Sequence, residues 1–555
     1  MKEYTLRTST RTGAVIIRAH KILSILFEEN EQNEEGYPLV ALRFNNEVYS
    51  LNSHPDMNGH IEPLYLNCSD GIRLYRRSLC YVLEMAARDL FPKRHLILSH
   101  SLGHSYYYHL DKEPVFSNDD ISLIKNRMID LINQDIPIIP ELICWQEAVD
   151  YFRKSNQEDT VSLLKQNNKS RIKVNISNKY MALRHECLLP STGLLKAFDL
   201  IPYSGGFLLH YPDSSDPLTL QPFKDQPLLF SIYREYKSWG KILNVNTTGK
   251  MNAMITNKQE MSHFIRVAES LHNKKIAQIA DQVLQRKGEV KVVLIAGPSS
   301  SGKTTFTKKL CTQLQVVGFN PIMVSLDDYY LRHDEVPLDE FGKPDLEALK
   351  ALDIPLLNQN LLQLFSGKET NFPIFDFKKG SRLEKGRTLQ MDERNILVME
   401  GIHGLNKDLT PDIPASRKFK IYISALTQLN LDDHNRISTT DNRLIRRIVR
   451  DHQFRNYTAL KTLRIWPSVR RGEDRNIFPN QSQADTAFNS ALDYELSVLK
   501  VYAEPLIKGI SPDIIEYAEA KRLLSFLDNF SPIPSYMVPA DSILREFIGN
   551  SSFKY

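Results

Sequence analysis

Residues 297–304 read Gly-Pro-Ser-Ser-Ser-Gly-Lys-Thr, a full GxxxxGK[ST] phosphate-binding loop. The run VVLIA precedes it as a strand and a helical pattern opens at Thr304, the context such a loop requires. Its glycines let backbone N–H groups turn inward around phosphate oxygens, and the helix N-terminus adds a favourable dipole. Lys303 offers a compact charge to the β- and γ-phosphates, and Thr304 a hydroxyl to Mg²⁺. Two acids follow. Asp327 stands in SLDDYY (325–330) just past the next strand, and Glu400 ends the strand pattern of LVMEG (397–401). A carboxylate at a strand's C-terminal end lies in the crevice where open α/β sheets bind ligands. There Asp327 can take a proton from an attacking hydroxyl or hold Mg²⁺ through water, and Glu400 suits a second metal-facing acid. Arg443, Arg446, Arg447 and Arg450 share one helical face, with Arg455 beyond. Such a run is either a solvated basic face or a mobile lid carrying cations to a transferring phosphoryl group.

These groups need a rigid frame, and the sequence from Val290 supplies one. Short unalternating apolar runs at 292–296, 322–326, 396–399 and 419–423 alternate with helical stretches. Strands of that kind are buried on both faces, so a parallel sheet covered by helices is expected. The last 55 or so residues read as mostly helical, with Leu523, Leu524 and Leu527 on one side. Upstream, residues 262–287 form a long amphipathic stretch with Phe264, Val267, Leu271, Ile276, Ile279, Val283 and Leu284 on its apolar side and Gly288 as its stop. It reads as a junction. The first 65 residues suggest short strands around one helix at His20–Phe27, with a hairpin turn at Asn45-Asn46. A second region opens with Leu79, Val82, Leu83, Ala86 and Leu90 at helical spacing before Pro92.

Composition sets the outer bounds. The net charge of +4 is too small to argue for nucleic acid by itself. Five scattered cysteines without a CxxC pair suggest free thiols in a reducing compartment. MKEYTLRTST lacks a signal-peptide core, and no stretch reaches the ~18 apolar residues of a membrane span. A cytoplasmic, non-membrane protein is expected.

From Val292 to about Lys500 the motifs GPSSSGKTTF, SLDDYY, FGKPD, PIFDF, LVMEGI and RLIRRIVRD occur in an order that resembles uridine kinases of the phosphoribulokinase/uridine kinase family. The resemblance implies a nucleoside kinase using ATP and Mg²⁺, with Gly297, Ser299, Ser300, Ser301, Gly302, Lys303, Thr304 and Thr305 around the nucleotide. It implies that Asp327 is the base for the nucleoside 5′-hydroxyl, that Thr304, Glu400 and Asp327 hold the metal, and that Arg447, Arg450 and Arg455 contact phosphates beside Lys303. Substrate contacts fall on Asp345, Phe375, Phe377 and Tyr330. Three family positions depart. Gly342 stands where a ribose-binding aspartate is found, and Phe375 and Gly380 stand where a tyrosine and a histidine recognise the pyrimidine. In the lid, Tyr457 replaces an arginine, and residues 466–473 look like an insertion that brings Arg470 and Arg471 near the site. The base preference is therefore open, and the alternatives are another small alcohol as acceptor or a nucleotide-dependent RNA- or ribosome-associated regulator.

The N-terminal half has its own resemblance. Residues 1–65 look like a β-grasp TGS domain. Residues 66–237, through RRSLCYVL (76–83), the Tyr106–Tyr108 run, WQEAVDYF (145–152) and PSTG (190–193), resemble the second, α+β domain of threonyl-tRNA synthetase. Residues 238–288 are then a helical connector, and 289–555 the P-loop α/β kinase domain with its C-terminal helices. The synthetase domain edits with an HxxxH and a CxxxH pair; here those positions hold Arg77 and Tyr81, Arg184 and Leu188, so no editing hydrolase is expected. His95, His100, His104 and His109 read as ordinary polar histidines around a loop-like SHSLGHS. RNA remains a candidate partner of this half, and a homo-oligomer is expected.

Overall fold

The computed structural model describes residues 3–8, 14–19, 21–27, 31–110, 115–243, 245–286, 288–339, 342, 344–376 and 379–554. The first sheet has five strands in the order Ala14–Arg18, Glu3–Thr8, Gly59–Tyr65, Leu39–Phe44, Glu47–Tyr49. Its first and last strands in sequence that flank the centre, Glu3–Thr8 and Gly59–Tyr65, run parallel; the other neighbours are antiparallel. This is a β-grasp order. Glu3–Thr8 alternates exposed and buried, and its inward Leu6 meets Leu42, Phe44 and Ile61. The expected helix is a short 3-10 turn, Leu23–Phe27, which closes the core with Leu23, Leu26 and Phe27; His20 lies outside the described residues. The hairpin turns at Asn45 and Asn46 with φ of 47° and 60°, a left-handed pair that asparagine tolerates and that matches strand twist.

Next comes helix Ser69–Leu90, whose Leu74, Leu79, Val82, Leu83 and Ala86 are buried against helix Asn118–Asn133 and two antiparallel sheets. The larger sheet runs Asp199–Tyr203, Gly206–His210, Ser105–Leu110, Leu96–Ser101; the smaller Tyr180–Leu183, Arg171–Ser177, Ile139–Cys144. The segment read as loop-like around His100 and His104 is instead a tight hairpin between Leu96–Ser101 and Ser105–Leu110. The preceding LIL run sets its strand character.

Three helices, Pro227–Leu243, Thr248–Ile255 and Lys258–Gln285, carry the chain onward. The last is more than a junction. Its Phe264, Ile265, Ile276, Ile279, Ala280 and Val283 join one core with Val293, Ile295, Phe306 and Leu310. Leu284, expected on the apolar side, is 45% exposed, because the buried stripe runs through Ile276, Ile279, Ala280 and Val283 and leaves Leu284 at its edge in the last turn.

The C-terminal sheet is all parallel, in the order Asn320–Ser325, Asn395–Glu400, Val292–Ala296, Lys418–Ser424, Thr486–Asn489. Val293 and Ile295 point to the core under helices Lys258–Gln285 and Lys303–Val316; Val292 and Leu294 point to the opposite core with Leu357, Leu361 and Phe372. Both faces are covered, which is why the strands read as continuous apolar runs. After helices Glu495–Lys508 and Tyr517–Leu527, the expected helical ending gives way to short turns, since Pro532, Pro534 and Pro539 remove the donors a helix needs. No helix among the described residues is long and apolar enough to cross a membrane, and all five cysteines are unpaired.

A short hairpin, Asn430–Asp432 with Asn435–Arg436, leaves the C-terminal half and enters the cleft of the second unit. Leu98 N–H donates to Asp433 O (2.8 Å), and Asn430 Nδ2 to Leu98 O (2.6 Å). Asp433 pairs with His95 at 2.7 Å.

Candidate active site

The strand Val292–Ala296 runs into Gly297, where any side chain would collide: a Cβ would lie 2.0 Å from Ile423 O. Ser300 and Gly302 take φ of 59° and 82°, folding the loop so that helix Lys303–Val316 starts with its free N–H groups toward the crevice. Ser300 Oγ and Ser301 Oγ are buried without a hydrogen-bond partner, two donors available to an anion. Lys303 Nζ donates to Gly297 O (2.9 Å) and Pro298 O (3.2 Å).

Asp327 follows the strand Asn320–Ser325 in a 3-10 turn whose cap, Ser325 Oγ, accepts Asp327 N–H at 3.2 Å. Glu400 pairs in register with Ser325 on one side and Ile295 on the other, so the middle strand holds it between the loop and Asp327. Burial pushes the Asp327 carboxyl up, against the pull of Lys303. Burial, with Asp327 beside it, pushes Glu400 up to about 7, again opposed by Lys303. The Lys303 ammonium is held down by burial and opposed by Glu400. These three groups thus form one electrostatic unit at the carboxyl end of the sheet. Glu347, which sequence reading passed over, belongs with them: burial and then Glu473 push it up to about 7.

Helix Thr439–Arg455, capped by Ser438, delivers the arginines. Arg443 and Arg446 are buried and act as struts. Arg443 Nε donates to Ser299 O (2.9 Å) and its guanidinium pairs with Glu473; Arg446 Nη1 donates to Ser300 O (3.2 Å) and Nη2 pairs with Glu495 at 2.5 Å. Arg447 Nη1 reaches Ser299 Oγ at 2.5 Å, and Arg450 lies 3.7 Å from Glu546. Arg455 is 47% exposed and bound to Asp451 at 3.2 Å, at the far end of the helix but still acting on Asp327. The segment that looked like an insertion is the middle of one continuous helix, Ala459–Asn476, with Pro467 inside it. Its Arg470 pairs with Glu473 (2.9 Å) and Asp474 (3.3 Å).

On the other side of Asp327 the rings of Tyr330 and Phe375 meet at 5.8 Å. Tyr330 Oη donates to Leu346 O at 3.0 Å. Phe375 is only 6% exposed and packs against Tyr330 and His333, so it is a core ring and offers no open stacking face. Phe377 lies outside the described residues. Asp345 accepts Glu347 N–H at 3.1 Å and so caps a turn next to Tyr330. Gly342 has open space around it; Gly380, at φ 66°, would place a Cβ 2.9 Å from His333 Nδ1. His333 therefore occupies the room of a side chain at 380. Only its position three residues after Tyr330 hinted at this.

In the second unit, Arg77 Nη2 donates to Asn435 Oδ1 (3.3 Å), Tyr81 Oη to Tyr180 O (3.5 Å), and Leu188 is buried. With the hairpin seated, a cavity of about 70 Å³ remains between Tyr81, Leu188 and Arg436. His95 pairs with Asp433, His100 stacks on Tyr233 at 3.9 Å, His104 lies 3.8 Å from Asp213, and His109 Nδ1 contacts Leu110 O. Each of the four has its own separate partner.

With this geometry in hand, residues 292–497 match the sequence profile of the Phosphoribulokinase / Uridine kinase family. A uridine kinase of Macrococcus caseolyticus is 30% identical over 195 residues, covering 35% of this chain and 85% of that one. A threonine–tRNA ligase of Ehrlichia canis is 24% identical over 192 residues, 34% of this chain and 30% of the ligase. The chain thus spans less than a third of the ligase's length. A solved structure from Bacillus stearothermophilus, described as a possible uridine kinase, aligns with a TM-score of 0.26 and 17% identity over 39% of this chain and 98% of that one.

Proposed function

Because the chain belongs to the phosphoribulokinase/uridine kinase family, we propose that it transfers the γ-phosphate of ATP to the 5′-hydroxyl of a nucleoside. The observation that carries this reading is that Asp327, in the turn just past strand Asn320–Ser325, is within electrostatic reach of Lys303 on the phosphate loop and stands three residues before Tyr330, whose ring meets Phe375. A base there stands between a nucleotide and an acceptor. Its carboxylate takes the proton of the attacking hydroxyl, and a pKa pushed up by burial brings it toward the operating pH, where a base is most effective. Lys303, Arg447 and Arg450 counter the charge that spreads over the phosphoryl oxygens.

Thr304, Glu400 and Asp327 would hold Mg²⁺, which supplies charge stabilisation for the transferring group when bound. Among the described residues no three acids, histidines or cysteines form a closed metal cage. An open arrangement with one or two carboxylates fits this cation, which keeps several waters and takes its other ligands from phosphate. The unpartnered hydroxyls of Ser300 and Ser301 fit the phosphates themselves.

Tyr330, His333 and Asp345 are the groups we assign to the acceptor, with His333 standing in for the side chain missing at Gly380. The match to threonine–tRNA ligase supports RNA as a candidate partner of the N-terminal half; we assign that half a capturing or regulatory role and the chain a homo-oligomeric setting. The test is a panel of nucleosides, sugar phosphates and other small alcohols incubated with ATP and Mg²⁺ and scored for phosphorylated product. A nucleoside 5′-monophosphate is the expected dominant product. Dominance of a non-nucleoside product would replace the acceptor while leaving the kinase reading in place.

A further inference from the structure

Around the phosphate loop the Ser300 and Ser301 hydroxyls are unpartnered, but Ser299 N–H and the Thr305 N–H and hydroxyl already have partners, and those partners are carboxylates from distant segments. Thr305 is the third residue of helix Lys303–Val316, so its N–H has no acceptor within the helix. Glu546, 241 residues further on, supplies one: its Oε2 accepts from Thr305 N at 3.0 Å and from Thr305 Oγ1 at 2.8 Å. Its Oε1 lies 3.7 Å from Arg450. At the other end of the loop, Glu473 Oε1 accepts Ser299 N–H at 2.8 Å, and Lys303 Nζ is folded back on the loop's own carbonyls. A carboxylate that takes a helix N-terminal N–H, the neighbouring hydroxyl and an arginine uses the donors that a phosphate would use.

The segment that carries Glu546 is firmly seated. Glu546 itself is 6% exposed, and Ile543, Leu544, Phe547 and Ile548 are buried in the main core. Ile543 Cγ2 comes to within 2.6 Å of where a Cβ on Gly302 would be, a contact only glycine admits. The Arg446 guanidinium lies over the Phe547 ring at 4.9 Å. Arg545 Nη2 donates to Ser535 O (2.9 Å) and Val538 O (2.6 Å), closing residues 535–549 into one unit.

We propose that residues 535–549 are an autoinhibitory plug whose Glu546 carboxylate occupies the place of a nucleotide phosphate, so that nucleotide enters by displacing it. The proposal rests on the reading of residues 297–305 as the nucleotide site. A form that excludes ligand lowers the apparent affinity in proportion to its population, and weakening the plug restores that affinity without touching a loop donor.

The experiment uses the full-length chain and Glu546→Gln, which removes the charge and keeps the side chain's size. ADP with Mg²⁺ is titrated into each by calorimetry, and the unfolding midpoint is recorded without nucleotide. The expected result is a Kd about tenfold lower in Glu546→Gln. In parallel, amide exchange of residues 535–549 in the wild type should speed up on adding ADP and Mg²⁺. An equal or higher Kd in a folded variant, or unchanged exchange in the wild type, overturns the plug and leaves the nucleotide site standing. If neither protein binds nucleotide, the site reading and the plug fall together. Should the variant fail to fold, the wild-type exchange decides alone.

Discussion

Two clefts of this chain receive arginines from a helix, and their buried acids respond oppositely. In the N-terminal cleft Arg73 and Arg77, on helix Ser69–Leu90, are neutralised where they stand. Arg73 pairs with Glu186 and Asp70, each at 2.6 Å, and Arg77 lies 3.7 Å from Glu186. Burial alone would push Glu186 up, yet these cations and Arg522 hold it down at about 2. Asp432 and Asp433 are held low as well, by His185 and His95 against burial. In the C-terminal cleft the carboxyls move the other way: Asp327, Glu400 and Glu347 all rise, because burial exceeds the counter-charge present. A buried acid pulled low by paired cations is a structural tie. Acids pushed high by burial beside a lysine, in a crevice at the end of a sheet, are candidates for a functional site.

That contrast breaks first at Asp327. Asp327→Asn should lower kcat by about 10²–10⁴-fold while ATP affinity stays within about threefold. Loss of ATP affinity with kcat retained would make Asp327 a binding residue and favour a nucleotide switch over a kinase. Next, Lys303→Ala should cost about 10²–10³-fold in kcat with the unfolding midpoint nearly unchanged, since its amine serves charge and little packing. Wild-type turnover in the folded variant would remove the loop from the mechanism.

The two clefts should also answer pH in opposite windows. Glu400 is raised in the folded chain, so its contribution to stability is full below the ordinary carboxylate range and is lost as pH rises through about 7. Glu186 is lowered, so its contribution is present above that range and lost as pH falls through about 2. The opening free energy of strand Asn395–Glu400 in the nucleotide-free chain, taken from amide exchange after dividing out the pH dependence of the intrinsic exchange rate, should therefore fall between pH 5 and 7, by at most about 1.4 kcal/mol per pH unit, and Glu400→Gln should flatten that slope. A slope that survives the substitution assigns it elsewhere. The smallest expected signal is none: the full-length chain should bind no stoichiometric zinc and release no amino acid from mischarged tRNA, because arginine at 77 and 184 serves neither as ligand nor as neutral base. Zinc at one equivalent together with deacylation would make both clefts catalytic.

What could be read in advance was whatever the chain keeps local. The loop, Asp327 and Glu400 each lie on a strand or just past its end, so their positions were legible from the strand pattern; spacing gave the arginine row as a whole, and the family resemblance picked Arg447 and Arg450 out of it. The roles of Arg443 and Arg446 were hidden in the same run, because a periodic row does not tell a strut from a ligand contact. Glu473 and Glu546 gave no sign at all. They meet the loop across 174 and 241 residues, and a single acid in a helix or a proline-rich ending carries no period to detect. The hairpin was equally silent: its asparagines and aspartates carry no period or motif, and Asn430 and Asn435 meet Leu98 and Arg77 of the second unit across 332 and 358 residues.

That hairpin has a mechanical consequence. Only Ile437 separates Arg436 from Ser438, the cap of the arginine helix, so the helix is anchored at its start in the N-terminal cleft and at its middle on the phosphate loop. One residue of an α-helix turns through about 100°. A rotation of even that size would pull Asp433 off Leu98 and His95 while sweeping Arg447 away from Ser299. The arginine helix has no free swivel: whatever shifts its middle on the phosphate loop also pulls on the hairpin seated in the upstream cleft.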